Sequence, residues 1–140
     1  MGHIRDIMEK NVITIEYNKN ALDAAIMLKE KEISFLVIIK DSIPLGVVSE
    51  RDFVRKVVAE NKAASEISLE SIMSKKFKWV KPDDKIEDAV QKMLNNNIRR
   101  LLVLENEKLV GVITQTDLAS YLRSKLLING TIENIETENV

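Results

Sequence analysis

Apolar positions along the chain fall into short runs whose spacing alternates between the two-residue period of strands and the three-to-four-residue period of helices. After an apolar lead of Ile4, Ile7 and Met8, a β-rich stretch covers Val12 to Ile15. A helix follows, with Asn20 as N-cap, Asp23 three residues on, and Ala21, Ala25 and Leu28 recurring at helical spacing. Two apolar strands, Phe35 to Ile39 and Leu45 to Val48, flank Lys40-Asp41-Ser42-Ile43-Pro44, whose Asp, Ser and Pro are turn residues. A second helix starts near Arg51, with Phe53, Val54, Val57 and Val58 on its buried face. The same order then returns. A lead of Leu69, Ile72 and Met73 precedes the strand Phe77 to Val80 and a helix capped by Asp84 with Glu87, striped by Ile86, Val90, Met93 and Leu94. Strands Leu101 to Leu104 and Leu109 to Ile113 surround Glu105-Asn106-Glu107-Lys108, and a helix from Thr116 turns Leu118, Ala119, Leu122 and Leu126 inward. Each half reads β-α-β-β-α, an α/β fold used twice.

A shift of 65 residues, as from Gly46 to Gly111, brings the halves into register without a gap. Ile7-Met8 falls on Ile72-Met73, Asp23-Ala24 on Asp88-Ala89, Ile33 on Ile98, Leu36 on Leu101, and Asp52 on Asp117. Of 4 glycines the two interior ones coincide, which marks a backbone that turns tightly or approaches something closely. The expected organisation is a first domain over 1–60, a polar linker over 61–68, a second domain over 69–127 and a loosely ordered tail over 128–140. At about 60 residues each half is marginal alone, so the halves are expected to pack against each other.

Composition narrows the chemistry. With 140 residues, 45% hydrophobic and 31% charged, the chain is an ordinary globular protein, and 21 Lys plus Arg against 22 Asp plus Glu leave no global basic field for nucleic acid or an anionic membrane. The absence of Cys removes disulfides, thiolate metal sites and Cys nucleophiles, and the one histidine, His3, leaves no His cluster or His-based triad. No apolar run approaches the ~18 residues of a membrane span. Without a signal-peptide apolar region the expected address is the cytoplasm.

One motif occurs in both halves: Gly46-Val47-Val48-Ser49-Glu50-Arg51-Asp52 and Gly111-Val112-Ile113-Thr114-Gln115-Thr116-Asp117. Each places a hydroxyl and, three residues on, an Asp at a strand-to-helix junction. Two readings share that geometry. A Ser or Thr followed by an acid is a capping box for the helix. A helix N-terminus also favours phosphate oxygens, with the hydroxyl adding a bond and the carboxylate accepting from vicinal ribose hydroxyls.

The tandem pattern of Asp6-Ile7-Met8, Ile13-Thr14-Ile15, Asp23-Ala24-Ala25-Ile26-Met27-Leu28 and Gly46 to Asp52 resembles the cystathionine-β-synthase (CBS) domain, two of which form a Bateman module. The resemblance covers about residues 4 to 123. It implies two repeats packed with pseudo-twofold symmetry, whose interdomain clefts bind AMP, ADP, ATP or S-adenosylmethionine as regulatory ligands rather than obligatory cofactors. It further implies that Ser49 with Asp52, and Thr114 with Asp117, contact ribose or phosphate, while Ile13 and Thr14 line the adenine. Arg99 and Arg100 stand where nucleotide-binding members often place a basic pair, against Ser34-Phe35 in the first half, and Arg51 precedes Asp52. The Asp52 cleft, with Arg99 or Arg100 reaching across, is the favoured site. The same resemblance implies a homodimer; a regulated protein partner is expected to read the ligand-bound surface, and no catalytic role or metal is expected, since Asp52 and Asp117 have no visible nucleophile or metal partner in the sequence.

Trp79 stands where the first half has Thr14, inside Lys75-Lys76-Phe77-Lys78-Trp79-Val80-Lys81. It either fills or stacks in the second adenine pocket, or faces inward with Phe77 as alternate residues of a half-buried strand. Two other functions remain open: nucleic-acid binding through Lys75 to Lys81, and a purely structural role in oligomerisation with both motifs serving as caps.

Overall fold

The computed structural model describes residues 2–128, so nearly all of the tail expected over 128–140 lies outside the described residues. Each half builds a three-stranded sheet. In the first, β1 (Thr14–Glu16) runs parallel to β2 (Phe35–Lys40), which pairs antiparallel with β3 (Ile43–Ser49). Helix α1 (Ala21–Lys31) joins β1 to β2, and α2 (Glu50–Phe53) leaves β3 and continues as a π-helical turn, Val54–Val58. A short helix, α3 (Leu69–Ile72), opens the second half. There β4 (Trp79–Val80), β5 (Arg100–Glu105) and β6 (Lys108–Thr114) form the sheet, with α4 (Ile86–Asn96) between β4 and β5, and α5 (Gln115–Ile128) after β6.

The hairpins are tighter than the sequence suggested. Only Asp41 and Ser42 turn the first, with φ of 54° and 68°, and only Asn106 and Glu107 the second, with φ of 53° and 68°. Two consecutive left-handed residues form the turn whose twist matches that of the flanking strands. Ile43 and Pro44, expected in the turn, belong to β3. Pro44 lies opposite Ile39, beside a register shift between Ile38 and Ile39, and a bulge is where a strand tolerates a residue with no N–H to give.

The α1 cap is as expected: Asp23 N–H donates to Asn20 Oδ1 at 2.9 Å and Asn20 N–H to Asp23 Oδ2 at 3.1 Å. For α4 the cap expected at Asp84 is displaced by one residue. Lys85 is the N-cap and donates its N–H to Asp88 at 3.2 Å, whereas Asp84 accepts from Lys81 N–H in the preceding turn. The repeat register already pairs Lys85 with Asn20 and Asp88 with Asp23.

Compact packing units do not follow the sequence repeats. One unit comprises 11–77 with 106–109; the other comprises, within the described residues, 2–10, 78–105 and 110–128. The lead of each repeat therefore sits with the body of the other. Leu69, Ile72 and Met73 are buried in a core with Ile15, Ala21, Ala24, Leu28, Leu36, Ile38 and Val48. Ile4 is fully buried with Val80, Ala89, Met93, Leu101, Val103 and Ile113, and Ile7 and Met8 pack against them. The segment 61–68, polar as expected of a linker, is also tied down. Ala64 and Ile67 pack on the first of these cores, and Ile67 O accepts from Ala21 N–H at 2.8 Å.

The same backbone bridge fastens each lead to a sheet. Ser74 and Val47 exchange two N–H···O bonds of 2.8 and 3.0 Å, as do Glu9 and Val112. Those bridges explain the coinciding glycines. A Cβ at Gly46 would lie 2.8 Å from both Met73 Sδ and Ser74 O, and one at Gly111 would lie 2.8 Å from Met8 Sδ and 3.0 Å from Glu9 O. Close approach, rather than a turn, requires glycine here.

Gly46→Ala and Gly111→Ala are expected to destabilise the protein by about 1–3 kcal/mol each, with the greater loss at Gly46 because a backbone oxygen stands nearer. Ile4→Ala, in the lead of the chain, is expected to cost about 2–5 kcal/mol, as any fully buried aliphatic would. Urea unfolding reads all three. An Ile4→Ala variant as stable as wild type would show that the lead is not part of that core.

Candidate functional site

Each copy of the motif closes its sheet and opens the next helix. Ser49 ends β3, and Asp52 Oδ2 accepts from Ser49 N–H at 2.8 Å and from Ser49 Oγ–H at 3.2 Å. Thr114 ends β6, and Asp117 Oδ2 accepts from Thr114 N–H at 2.8 Å and from Thr114 Oγ1–H at 3.0 Å, while Asp117 N–H returns a bond to Thr114 Oγ1 at 3.2 Å. Both carboxylates thus fix the first turn of their helices and satisfy a backbone donor that a helix N-terminus leaves open. All four side chains remain partly exposed.

Parallel and antiparallel pairing brings particular neighbours to each motif. Glu50 N–H donates to Ser34 O at 3.0 Å, and in the other unit Gln115 N–H donates to Arg99 O at 2.9 Å. The start of β5 therefore lies beside the end of β6, which sets the Arg99 backbone against Gln115, between Thr114 and Asp117 in the motif. Trp79 belongs to the same end of that sheet, since β4 runs parallel to β5 with Trp79 opposite Leu102, and Leu102 N–H donates to Lys78 O at 3.1 Å. Arg99 and Arg100 are exposed. In the unit that holds Asp52, the equivalent sheet end carries Thr14, opposite Val37, together with Ser49 and the exposed Arg51.

Two strand residues behave differently from their sequence pattern. Trp79 is 43% exposed while Val80 is buried, so Trp79 faces away from its core. The alternation that turned Phe77 and Trp79 inward is off by one position for the tryptophan: the core takes Val80, as it takes Ile15 next to Thr14. Ile13 packs against the core of its unit, leaving Thr14 as the half-buried residue of that pair with a hydroxyl to offer.

One participant was not singled out from the sequence. Lys56 Nζ lies 3.1 Å from Asp52 Oδ1 and donates to Ile72 O at 2.8 Å. Asp52 thus has one oxygen on its cap and the other on a cation. The signal was the Asp-to-Lys spacing of four residues, which places both on one helix face. Position 121, its equivalent, is Tyr, whose hydroxyl is buried without a partner, and Asp117 makes no ion pair among the described residues. The two motifs are alike in their caps and unlike in their electrostatics.

No group of His, Cys, Asp and Glu among the described residues is arranged to hold a metal, and no helix there is long and apolar enough to cross a membrane.

Comparisons with known proteins agree with this architecture. The chain is 33% identical over 117 residues to the uncharacterized protein MK0525 of Methanopyrus kandleri, covering 82% of this chain and 60% of that one. It is 25% identical to the CBS domain-containing protein YhcV of Bacillus subtilis over 140 residues, which is 99% of that protein. Thus the chain spans less than two thirds of the first relative and nearly all of the second. Among solved structures it is similar to the CBS domain pair of protein MJ0100 in complex with 5-methylthioadenosine and S-adenosyl-L-methionine. That likeness has a TM-score of 0.78 at 25% identity and covers 89% of this chain and 98% of the other. The CBS domain family model matches residues 4–59 and again 69–124, so the chain belongs to the CBS domain family and carries two such domains in tandem.

Proposed function

We propose that the protein is a non-enzymatic regulatory module that binds an adenosine-containing ligand at its hydroxyl–Asp motifs and signals to a protein partner. The observation that carries this reading is the pairing of each motif with a helix N-terminus at a sheet end, with Arg99 and Trp79 gathered at the Asp117 end. A carboxylate there accepts from ribose hydroxyls, the positive end of the helix and Arg99 favour phosphate, and an exposed indole offers a face to adenine. The MJ0100 domain pair, which holds two adenosine derivatives, supports the ligand class. At the Asp52 end, Ser49, Thr14 and Arg51 supply the corresponding groups, and at the Asp117 end Arg100 adds a second cation at the start of β5.

Catalysis has no support from the side chains: the hydroxyls beside Asp52 and Asp117 donate within the helix caps with no histidine or lysine base on them, and no metal-binding group is arranged among the described residues. For dimerisation, support comes from apolar pairs at helical spacing that stay exposed, Leu22 with Ile26 on α1, Val54 with Val58 after α2, and Val90 with Leu94 on α4. Exposed stripes of that kind suit helix-to-helix association of two copies.

Thermal unfolding with AMP, ADP, ATP and S-adenosylmethionine tests the ligand. At 100 times its dissociation constant a ligand adds about 2.7 kcal/mol, a rise of roughly 5–10 °C in Tm for a chain of this size. The rise is expected to vanish in the Asp variant, Asp52→Ala or Asp117→Ala, of the motif that binds. No rise with any of the four would reduce both motifs to helix caps, and salt-sensitive binding of RNA instead would favour the Lys75 to Lys81 segment. Because Trp79 is the one tryptophan, its emission reports the Asp117 end directly: a spectral change on ligand addition that Asp117→Ala abolishes is expected there. Val58→Glu with Leu94→Glu, at positions 71% and 70% exposed, is expected to halve the mass measured by light scattering while leaving Tm within a few degrees. An unchanged mass would place any self-association elsewhere.

A further inference from the structure

The helix after Asp52 departs from its twin in a way the fold does not demand. Val54–Val58 is a π-helical turn, in which Ala59 N–H donates to Val54 O at 2.8 Å and Lys62 N–H to Val57 O at 3.0 Å, while the corresponding part of α5 is regular α-helix. Single π turns weaken a helix and recur where function retains them. This one borders a depression of about 250 Å³, lined by Arg55, Lys56, Glu60, Lys62, Ser71 and Ile72 among others, all within the unit that holds 11–77.

Three cations and one carboxylate line this depression, an excess of two positive charges. Arg55, Lys62 and Glu60 make no ion pair among the described residues. Lys56 spends two contacts on Asp52 and Ile72 O, and an ammonium has three donors. In the other repeat Ser120, Tyr121 and Leu127 stand at the places of Arg55, Lys56 and Lys62. The shared scaffold is built there without any of the three charges, so the fold itself does not require them, and of the three only the Lys56 ammonium has a structural contact among the described residues, with Asp52 and Ile72 O.

We infer that this depression binds a multiply charged phosphate group. The Arg55 guanidinium takes two phosphate oxygens in its fork, Lys62 adds a point charge, and Lys56 adds a second whose ammonium is shared with Asp52. Lys56 also links the site to Asp52: as the ammonium turns toward phosphate it withdraws from Asp52 Oδ1. Whatever binds at Asp52 and whatever binds at Arg55 then share one cation, and the coupling between them is reciprocal. That coupling rests on the proposed role of Asp52; the phosphate site itself does not.

Calorimetric titration of the full chain with pyrophosphate, at ionic strength held constant with sodium chloride, tests the site. Arg55→Ala with Lys62→Ala removes two exposed side chains and is expected to weaken pyrophosphate at least about tenfold while leaving Tm near that of wild type. Asp52→Asn frees Lys56 and is expected to tighten pyrophosphate about three- to tenfold. Adenosine, which carries no phosphate, separates this site from the motifs: its effect on Trp79 emission or Tm is expected to survive the double substitution, and its failure to bind would sink the adenosine reading while leaving pyrophosphate untouched. Titration with ATP separates the sources. Binding of ATP but not pyrophosphate, lost in the double variant, assigns the phosphate to a nucleotide tail. Equal pyrophosphate affinity in wild type and double variant, or no binding of either anion, overturns the site.

Discussion

Everything in this molecule hangs on the approach of two backbones at Gly46 and at Gly111. At each, a segment from the other sequence repeat lies so near the strand that a single methyl group would overlap a methionine side chain and a carbonyl oxygen. That closeness lets Ser74 and Glu9 trade backbone bonds with Val47 and Val112 and sets Leu69, Ile72 and Ile4 into cores that their own repeats do not complete. A half-sized α/β unit has too little apolar area to stand alone. The borrowed lead supplies the missing part, so the stability of each sheet depends on chain contributed by its twin.

The hydroxyl–Asp motifs sit where those sheets end, a position that suits both the observed helix caps and the proposed ligand contact. A carboxylate that already accepts two bonds from its own N-cap is held in one orientation before any ligand arrives. Pre-organisation of that kind lowers the ordering cost of binding. The electrostatic surroundings then separate the two copies. Asp52 is paired with Lys56, which also donates to the carbonyl of Ile72 in the exchanged lead; Asp117 has an aromatic residue at position 121 instead, and its neighbour Gln115 is backbone-bonded to Arg99. A duplicated fold thereby presents two motifs of different electrostatic character.

Much of this was legible in the sequence because it depends on local pattern. The repeat, the strand and helix order, the Asn20 cap and the hydroxyl–Asp motifs follow from spacing, and the paired glycines marked either a tight turn or a close approach, of which the structure shows the second. Their partner was not announced, since periodicity identifies a buried face without saying which segment covers it; nothing local in Ile4 or Leu69 tells whose core it enters. The turn at Asp41-Ser42 was overestimated because Pro44 reads as a turn residue unless a bulge is known to receive it. Trp79 misled for a related reason. Its size suggests burial, yet the pleat gives the inward position to Val80, and only the register with Thr14 and Ile15 reveals that parity. The π turn after Phe53 and the reach of Lys56 to Ile72 arise from tertiary geometry and leave no trace in composition.

The exchange of leads also bears on the order in which the molecule is assembled during synthesis. Residues 2–10 leave the ribosome before the rest of the described chain, yet the strand that receives Glu9 ends at Thr114. The unit over 11–77, whose sheet, helices and borrowed lead are nearly contiguous, has its partners at hand much earlier. Contacts close in sequence form before distant ones, because less loop entropy opposes them. Within the described chain residues 2–10 are thus made first and buried late, and until the strand of Val112 forms, Ile4, Ile7 and Met8 remain an apolar thread without the core that receives them.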